Sequence, residues 1–514
     1  MKLVTLGLVL TAAAAPVATP DAAPADATAT DATASDVPAP GAAADDATAG
    51  VPDPASATGD EGEPGLDLAQ EAAAAAPWRL KAHQYLRARP RMTAPKRGLI
   101  LKGNIALVDE VVRGEDRSCS AGWGRLGSEG WLCLRWAEAA EEGARPVAQP
   151  QLIPFDTPEP DEYWSYLETG RYDRADTVSA DEALVPFIYG KAWRRWDAPV
   201  WPSLSAWERG RGSDERLGEE RKFAFSEAIE TDRGLVLRRR NRSVVPADEV
   251  FLYPISRFQG RELSIRPIAE GHLAGWARPY EGLDLFAAPM EDAPKVGHLD
   301  FQAEVDVART PATADGAWVR VRGTVGADAA RYARAADVAV YRPTGAPDDL
   351  RPGELWVDIE LEQQVLAVLQ GDAVVYITLV SSGRDDKHRG TPTGLYRTTD
   401  KAAWGDMTSR KGASDVYHVE KVPWIFHFWP RFALHGTFWH WGFGHQASHG
   451  CVNLAPRDAH WLFARLGPTL PAGWHTAYAS DSNPGTRLRI REGDQAELRD
   501  RRVVPRGGPR QARR

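Results

Sequence analysis

The chain is short of sulfur, short of long apolar runs and, over its first eighty residues, almost empty of positive charge. Only three of its 514 residues are Cys and four are Met. Three thiols exclude a framework of several disulfides and allow one pair with one thiol over. Between Leu3 and Leu80 the one basic residue is Arg79, while twelve acids fall between Asp21 and Glu71. Removing those twelve from the formal charge of −9 leaves +3. The remainder is therefore weakly basic, which gives no argument for a nucleic-acid partner and only mild compatibility with an anionic polymer. The apolar run Leu3–Leu10 is too short to span a bilayer.

What is present begins with that run. Met1-Lys2, Leu3–Leu10, Thr11 and Ala12–Ala15 form a secretory pattern, with cleavage expected within Ala13–Ala18 and a leader over 1–18. The alternative is an apolar terminus retained as an anchor. No Cys lies near enough for a lipid anchor. Residues 19–76 are Ala, Pro, Asp and Thr with almost no aromatic or branched apolar side chain. Such a segment cannot bury enough surface to offset its ordering entropy, so disorder is expected, with a short helix beginning over Glu71–Ala76.

Order is expected from Trp78. Short apolar runs at Leu99–Leu101, Ile105–Val108, Gly122–Leu126 and Gly130–Leu134 are divided by Gly and polar turns, an all-β signature. Cys119 and Cys133 read as a disulfide in an oxidising compartment. Cys451 is then the thiol left over, either reactive or an intermolecular bridge. The text "Gly-Trp-x-x-Leu, turn, Gly-Trp-Leu-Cys" resembles bacterial SH3-like domains of the cell-wall type. This implies such a module over 77–145, serving as a spacer or as a binder of peptidoglycan glycan. A Pro-rich linker follows. The aromatic stretch Tyr163–Trp207 is read as core more readily than as sugar-stacking surface. Further β-rich text fills 146–345, with an irregular recurrence that suggests degenerate repeats of one β module.

Pro343–Pro352 reads as a linker. Beyond it, Leu355–Leu361, Gln363–Leu369 and Val374–Val380 alternate as strands. Asp458–Leu466 reads as a helix stopped by Gly467-Pro468. The tail 492–514 is Arg-rich.

The dense chemistry lies at His435-Gly436-Thr437 and Ser448-His449-Gly450-Cys451-Val452-Asn453. A thiol beside two histidines and tight glycines is what a cysteine nucleophile needs: a base to take the proton, and backbone N–H groups to face an oxyanion. A lone core Cys is ordinarily inert. The numerous histidines, His418, His427, His435, His440, His445 and His449, raise zinc as an alternative, though none stands in a His-x-x-x-His helix context.

Residues 354–491 resemble the YkuD-type L,D-transpeptidase catalytic domain. The resemblance is carried by His435, twelve residues, then Ser-His-Gly-Cys-Val-Asn, with Ser381-Ser382-Gly383 and Thr391-Pro392-Thr393-Gly394 upstream. It implies a mainly β fold with one or two helices. It implies Cys451 as nucleophile, His435 as general base oriented by the Gly436 carbonyl, and His449 as a second histidine of unranked role. Gly450, Cys451 and Val452 would supply oxyanion N–H groups, Ser448 would fix the loop, and Asn453 would stand where other members have Arg. It implies no metal or cofactor. The reaction implied is acyl transfer between peptidoglycan stem peptides, forming 3–3 cross-links, outside the membrane in periplasm or wall. Water as acceptor would make a carboxypeptidase or endopeptidase, and a silent site would make a wall-binding scaffold.

Overall fold

The computed structural model describes residues 33–34, 75–153, 183–192, 198–211, 215–218, 221–323, 330–384, 389–409 and 417–493. Residues 1–18, expected as a leader, nearly all of the expected 19–76 spacer, Tyr163 with its neighbours to residue 182, and the tail beyond 493 lie outside these residues. The fold is mainly β. Ala76 opens a strand, Ala76–Leu80, where a short helix was expected to begin over Glu71–Ala76; residues 71–74 lie outside the described residues. Pro77 and Trp78 explain the change: Pro biases its predecessor toward extended backbone, and an aromatic residue favours a half-buried strand.

Three β units precede the last domain, and each ends the same way. A strand enters a three-residue 3₁₀ turn and leaves as another strand. The first unit uses Gly130–Cys133, Leu134–Trp136 and Ala137–Ala139. The second uses Val244–Pro246, Ala247–Glu249 and Val250–Leu252. The third uses Arg331–Arg334, Ala335–Asp337 and Val338–Val340. In the first unit Cys119 and Cys133 form a disulfide. In the second, Phe187 and Tyr189 are buried, as core rather than as a stacking surface.

The last domain is built on two sheets that share a strand. Strands β1 (Leu355–Glu360), β2 (Val365–Gln370) and β3 (Ala373–Ser381) form an antiparallel meander. Strand β4 is Gly394–Arg397, β5 Asp400–Thr408, β6 His418–Trp429, β7 Phe432–Gly436 and β8 Val452–Leu454. Helix α1 (Pro456–Arg465) follows, then β9 (Trp474–Tyr478) and β10 (Arg487–Arg491). The first sheet runs β3-β2-β1-β10-β4, with β10 parallel to β1. The second runs β9-β5-β6-β7-β8 and returns to the end of β3 through Val380 and Ser381. Pro456 sits in the first turn of α1, where a missing N–H costs nothing.

Each β unit shares a core with this domain. In the first, Leu86, Leu132 and Leu134 pack with Trp474 and Ala477 of β9. In the second, Tyr189, Phe251 and Ile255 pack in one cluster with Tyr376, Trp424 and Cys451. In the third, Trp276 and Tyr341 pack with Trp356, Ile377 and Phe443. Strand pairing extends two of these contacts. Strand Lys96–Ile100 pairs antiparallel with β9, and Arg221–Ile229 pairs parallel with β6. Among the described residues no helix is long and apolar enough to cross a membrane.

Candidate active site

Strands β7 and β8 run parallel, and their register places the site. His435 is the partner of Asn453, and Leu434 of Val452. Side chains of paired residues share a face of the sheet, so His435 and Asn453 point the same way. Cys451 lies two residues before Asn453, at the entry to β8. Both Cys451 and His435 are buried, with 3% and 0% of their surfaces exposed. Cys451 is the free thiol among the described cysteines.

The turn that presents Cys451 is stapled by Ser448. Its hydroxyl donates to Cys451 O at 2.6 Å and receives Gly450 N–H at 3.0 Å. Ser448 N–H donates to Ser382 O, and Arg384 N–H to Ser448 O, both at 3.0 Å. Gln364 holds Ser382 from behind by donating to its hydroxyl (2.6 Å) and accepting its N–H (2.7 Å). Thr391 completes the frame, accepting from Gly383 N–H at 2.8 Å and donating to Gly450 O at 2.9 Å. Gly450 has φ +123, and a Cβ there would lie 2.4 Å from Phe432 Cε1. Only glycine meets both demands.

His435 Nδ1 lies 3.2 Å from Gly436 O. A carbonyl only accepts, so Nδ1 carries the hydrogen and Nε2 is the basic nitrogen of the neutral ring. Thr437 Oγ1 stands 3.3 Å from the same Nδ1. His449 is near Tyr417, ring centroids 6.3 Å apart.

One expectation changes. Gly450 N–H was expected to face an oxyanion, but it is spent inside the turn on Ser448 Oγ. A hydroxyl two residues upstream competes for it, as Ser side chains do in tight turns. Val452 stands within the β7–β8 ladder. Asn453 is more defined than its sequence suggested: its Nδ2 lies 3.0 Å from His440 Nε2. His440 thus touches the strand that directly follows the thiol. Thr391 and Gln364 were also unread as individual residues, and only the Thr-Pro-Thr-Gly text pointed at the first. The remaining histidines disperse. His427 Nδ1 pairs with Asp400 at 2.7 Å, and His445 Nε2 lies 2.8 Å from Arg278 O. Among the described residues no three His, Cys, Asp or Glu side chains gather as a metal-ligating group.

Residues 354–490 match the YkuD family, the L,D-transpeptidase catalytic domain. The chain is similar to YciB of Bacillus subtilis (strain 168), itself provisionally designated an L,D-transpeptidase. Identity is 22% over 144 residues, covering 24% of this chain and 68% of the relative. Among solved structures it is similar to a cysteine-to-serine mutant of an Enterococcus faecium L,D-transpeptidase. That match has 19% identity and a TM-score of 0.21, covering 27% of this chain and 50% of the other. It is also similar to L,D-transpeptidase 3 from Mycobacterium tuberculosis, at 14% identity and TM-score 0.22, covering 37% and 92%. The chain spans half the length of the Enterococcus faecium protein it matches. The match to the YkuD family model is confined to residues 354–490.

Proposed function

We propose that the chain is an exported L,D-transpeptidase that joins peptidoglycan stem peptides through a thioester on Cys451. The observation that carries this reading is the stapled Ser448–Cys451 turn beside a buried His435 whose Nδ1 is committed to Gly436 O. That commitment makes Nε2 the proton acceptor. The thiol proton passes to His435, and the thiolate attacks the carbonyl of the third stem residue, a diaminopimelate-type L-centre. A carbon–sulfur bond forms, the carbon–nitrogen bond to the terminal D-Ala breaks, and the departing amine takes the proton back. The side-chain amine of a second stem then attacks the thioester. A new amide forms and Cys451 leaves as thiol, giving a 3–3 cross-link. Cys451 and His435 are the reacting residues, with His449 beside them. Ser448, Gly436 and Asn453 hold the frame. The step uses no cofactor.

Export is supported by the Met1–Ala15 pattern and by the Cys119–Cys133 disulfide, a bond that persists in oxidising compartments. The three β units, SH3-like in sequence at the first, would hold the domain at the wall and contact glycan.

Intact mass after incubation with a carbapenem tests the thiol. An adduct that disappears in Cys451→Ala is expected, and an unmodified wild type would sink the enzymatic reading in favour of a silent scaffold. Purified disaccharide-tetrapeptides test the acceptor. Dimers support transfer, whereas trimmed monomers alone would make the chain a carboxypeptidase.

A further inference from the structure

Thr437–Ala447 carries the chain from His435 to Ser448 without helix or strand. Irregular buried backbone must find partners for its N–H and C=O groups. Some come from the same domain. Thr437 N–H donates to Leu454 O and Gly444 N–H to Val380 O, both at 2.9 Å. Others come from the third β unit. Gln302 Nε2 donates to Trp441 O and to Phe443 O, each at 2.9 Å. Tyr280 stacks on His445 with centroids 4.4 Å apart and 17° between planes. Gly442 leaves room for that ring, since a Cβ there would lie 2.5 Å from Tyr280 Oη.

Gln302 itself has φ +63, a left-handed conformation that favours Gly or Asn. A glutamine kept at such a position points to a use for its side chain. Two carbonyl acceptors require its amide nitrogen, with two hydrogens, to face the loop. The same loop carries His440, which meets Asn453, the register partner of His435.

We propose that Gln302 is a positioning residue for acyl transfer. By capping the Trp441 and Phe443 carbonyls it fixes the loop that sets His440 against Asn453, and so the spacing of Cys451 and His435. The third β unit is thereby part of the working site and not only a tether. The inference rests on the acyl-transfer reading above.

The test uses the full chain with Gln302→Glu and Gln302→Gly. The first is isosteric but turns a carboxylate toward two carbonyl oxygens. The second removes the side chain and suits the backbone. Carbapenem acylation of Cys451 is followed by intact mass over a range of inhibitor concentrations, alongside thermal melting. A displacement near the chemistry lowers the limiting rate by about 10- to 100-fold in both variants, while half-saturation changes little. Gln302→Gly melts no lower than wild type. Wild-type limiting rates in both variants would overturn the proposal. So would a loss confined to Gln302→Glu that follows its melting temperature, because that marks a merely structural role. An unmodified wild type would instead overturn the acyl-transfer reading, and this inference with it.

Discussion

The imidazole Nδ1 of His435 lies 3.2 Å from the carbonyl oxygen of Gly436, its own neighbour in the chain. The backbone thus orients the ring without a carboxylate, and it selects the tautomer whose Nε2 is basic. His435→Ala should lower the acylation rate of Cys451 by about 10²–10⁴-fold, the range of a positioned general base. Thr437→Val keeps the buried shape and removes the second contact to Nδ1. Because the Gly436 bond remains, its loss should stay under about tenfold. Stopped-time mass spectrometry with a carbapenem reads both. An equal loss in the two variants would assign the orienting role to Thr437.

Two glycines hold the thiol turn by having no side chain. A Cβ on Gly450 would meet Phe432 at 2.4 Å, and one on Gly383 would meet Arg389 O at 2.0 Å. The neighbour at Gly450 is a partly buried side chain that can shift. The neighbour at Gly383 is backbone. Gly383→Ala should therefore cost more stability than Gly450→Ala, although the latter also meets strain of about 1–3 kcal/mol from its positive φ. Both should abolish acylation of Cys451. Thermal melting and adduct formation, measured together, check the order.

The strands of the last domain were legible as short apolar runs between turn residues, although β1, β2 and β3 are buried on both faces over most of their length and do not alternate in burial. His435 and Cys451 could be named from the sequence because both fall within one short stretch that the resemblance singles out. The bond from Gly450 N–H to Ser448 Oγ was not legible, because the two residues meet only once the turn closes. Gln302 left no trace: it meets Trp441 across 139 residues of sequence, and no spacing or periodicity records such a contact. The 3₁₀ turn that ends each β unit left no signal for a related reason: it is written as Leu134-Arg135-Trp136, Ala247-Asp248-Glu249 and Ala335-Ala336-Asp337. Backbone geometry is common to the three, and composition is not.

Two buried groups should tilt stability with pH in opposite directions. Burial, followed by the charges of Arg240 and Lys421, pushes His475 down to about 3 from 6.5. The unfolded chain then binds the extra proton, so stability falls as pH drops through that window. Burial pushes Asp458 up to about 6 from 3.8 against three donors, Thr378, Tyr376 and Gly260 N–H. Here the folded state binds the extra proton, so stability falls as pH rises from about 4 to about 6. Each contributes about 1.4 kcal/mol per pH unit inside its window. Unfolding at pH 4.5 and 7 separates them. His475→Leu should lose less on acidification than wild type, and Asp458→Asn should lose more.

The disulfide divides the cysteines by reactivity. Alkylation in denaturant without reductant should label Cys451 alone, and reductant should raise the count to all three. Labelling of three cysteines before reduction would contradict the Cys119–Cys133 bond. The bond closes a sequence separation of 14 residues. By loop-closure entropy, Cys119→Ala should destabilise the first β unit by about 3 kcal/mol, measured by chemical unfolding.

Asp358 joins the third β unit to the first sheet of the last domain. It is fully buried and receives Arg489 through Nε and Nη2, each at 2.8 Å, Arg491 Nε at 3.1 Å, and the Tyr341 hydroxyl at 2.9 Å. The same guanidinium groups reach back to the linker, Arg491 to Arg342 O and Arg489 to Gly345 O, both at 2.8 Å. One carboxylate thus ties β1, β10 and the exit of the third unit. Removing it leaves two buried cations without their shared anion, a loss of about 3–5 kcal/mol. Asp358→Ala should lower the melting temperature and open 343–352 to protease. If Gln302 acts through a docked third unit, the variant should also slow acylation of Cys451 at temperatures where it remains folded. A destabilised Asp358→Ala with wild-type acylation would separate docking from catalysis, because β1 and β10 would then weaken without disturbing the loop that Gln302 caps.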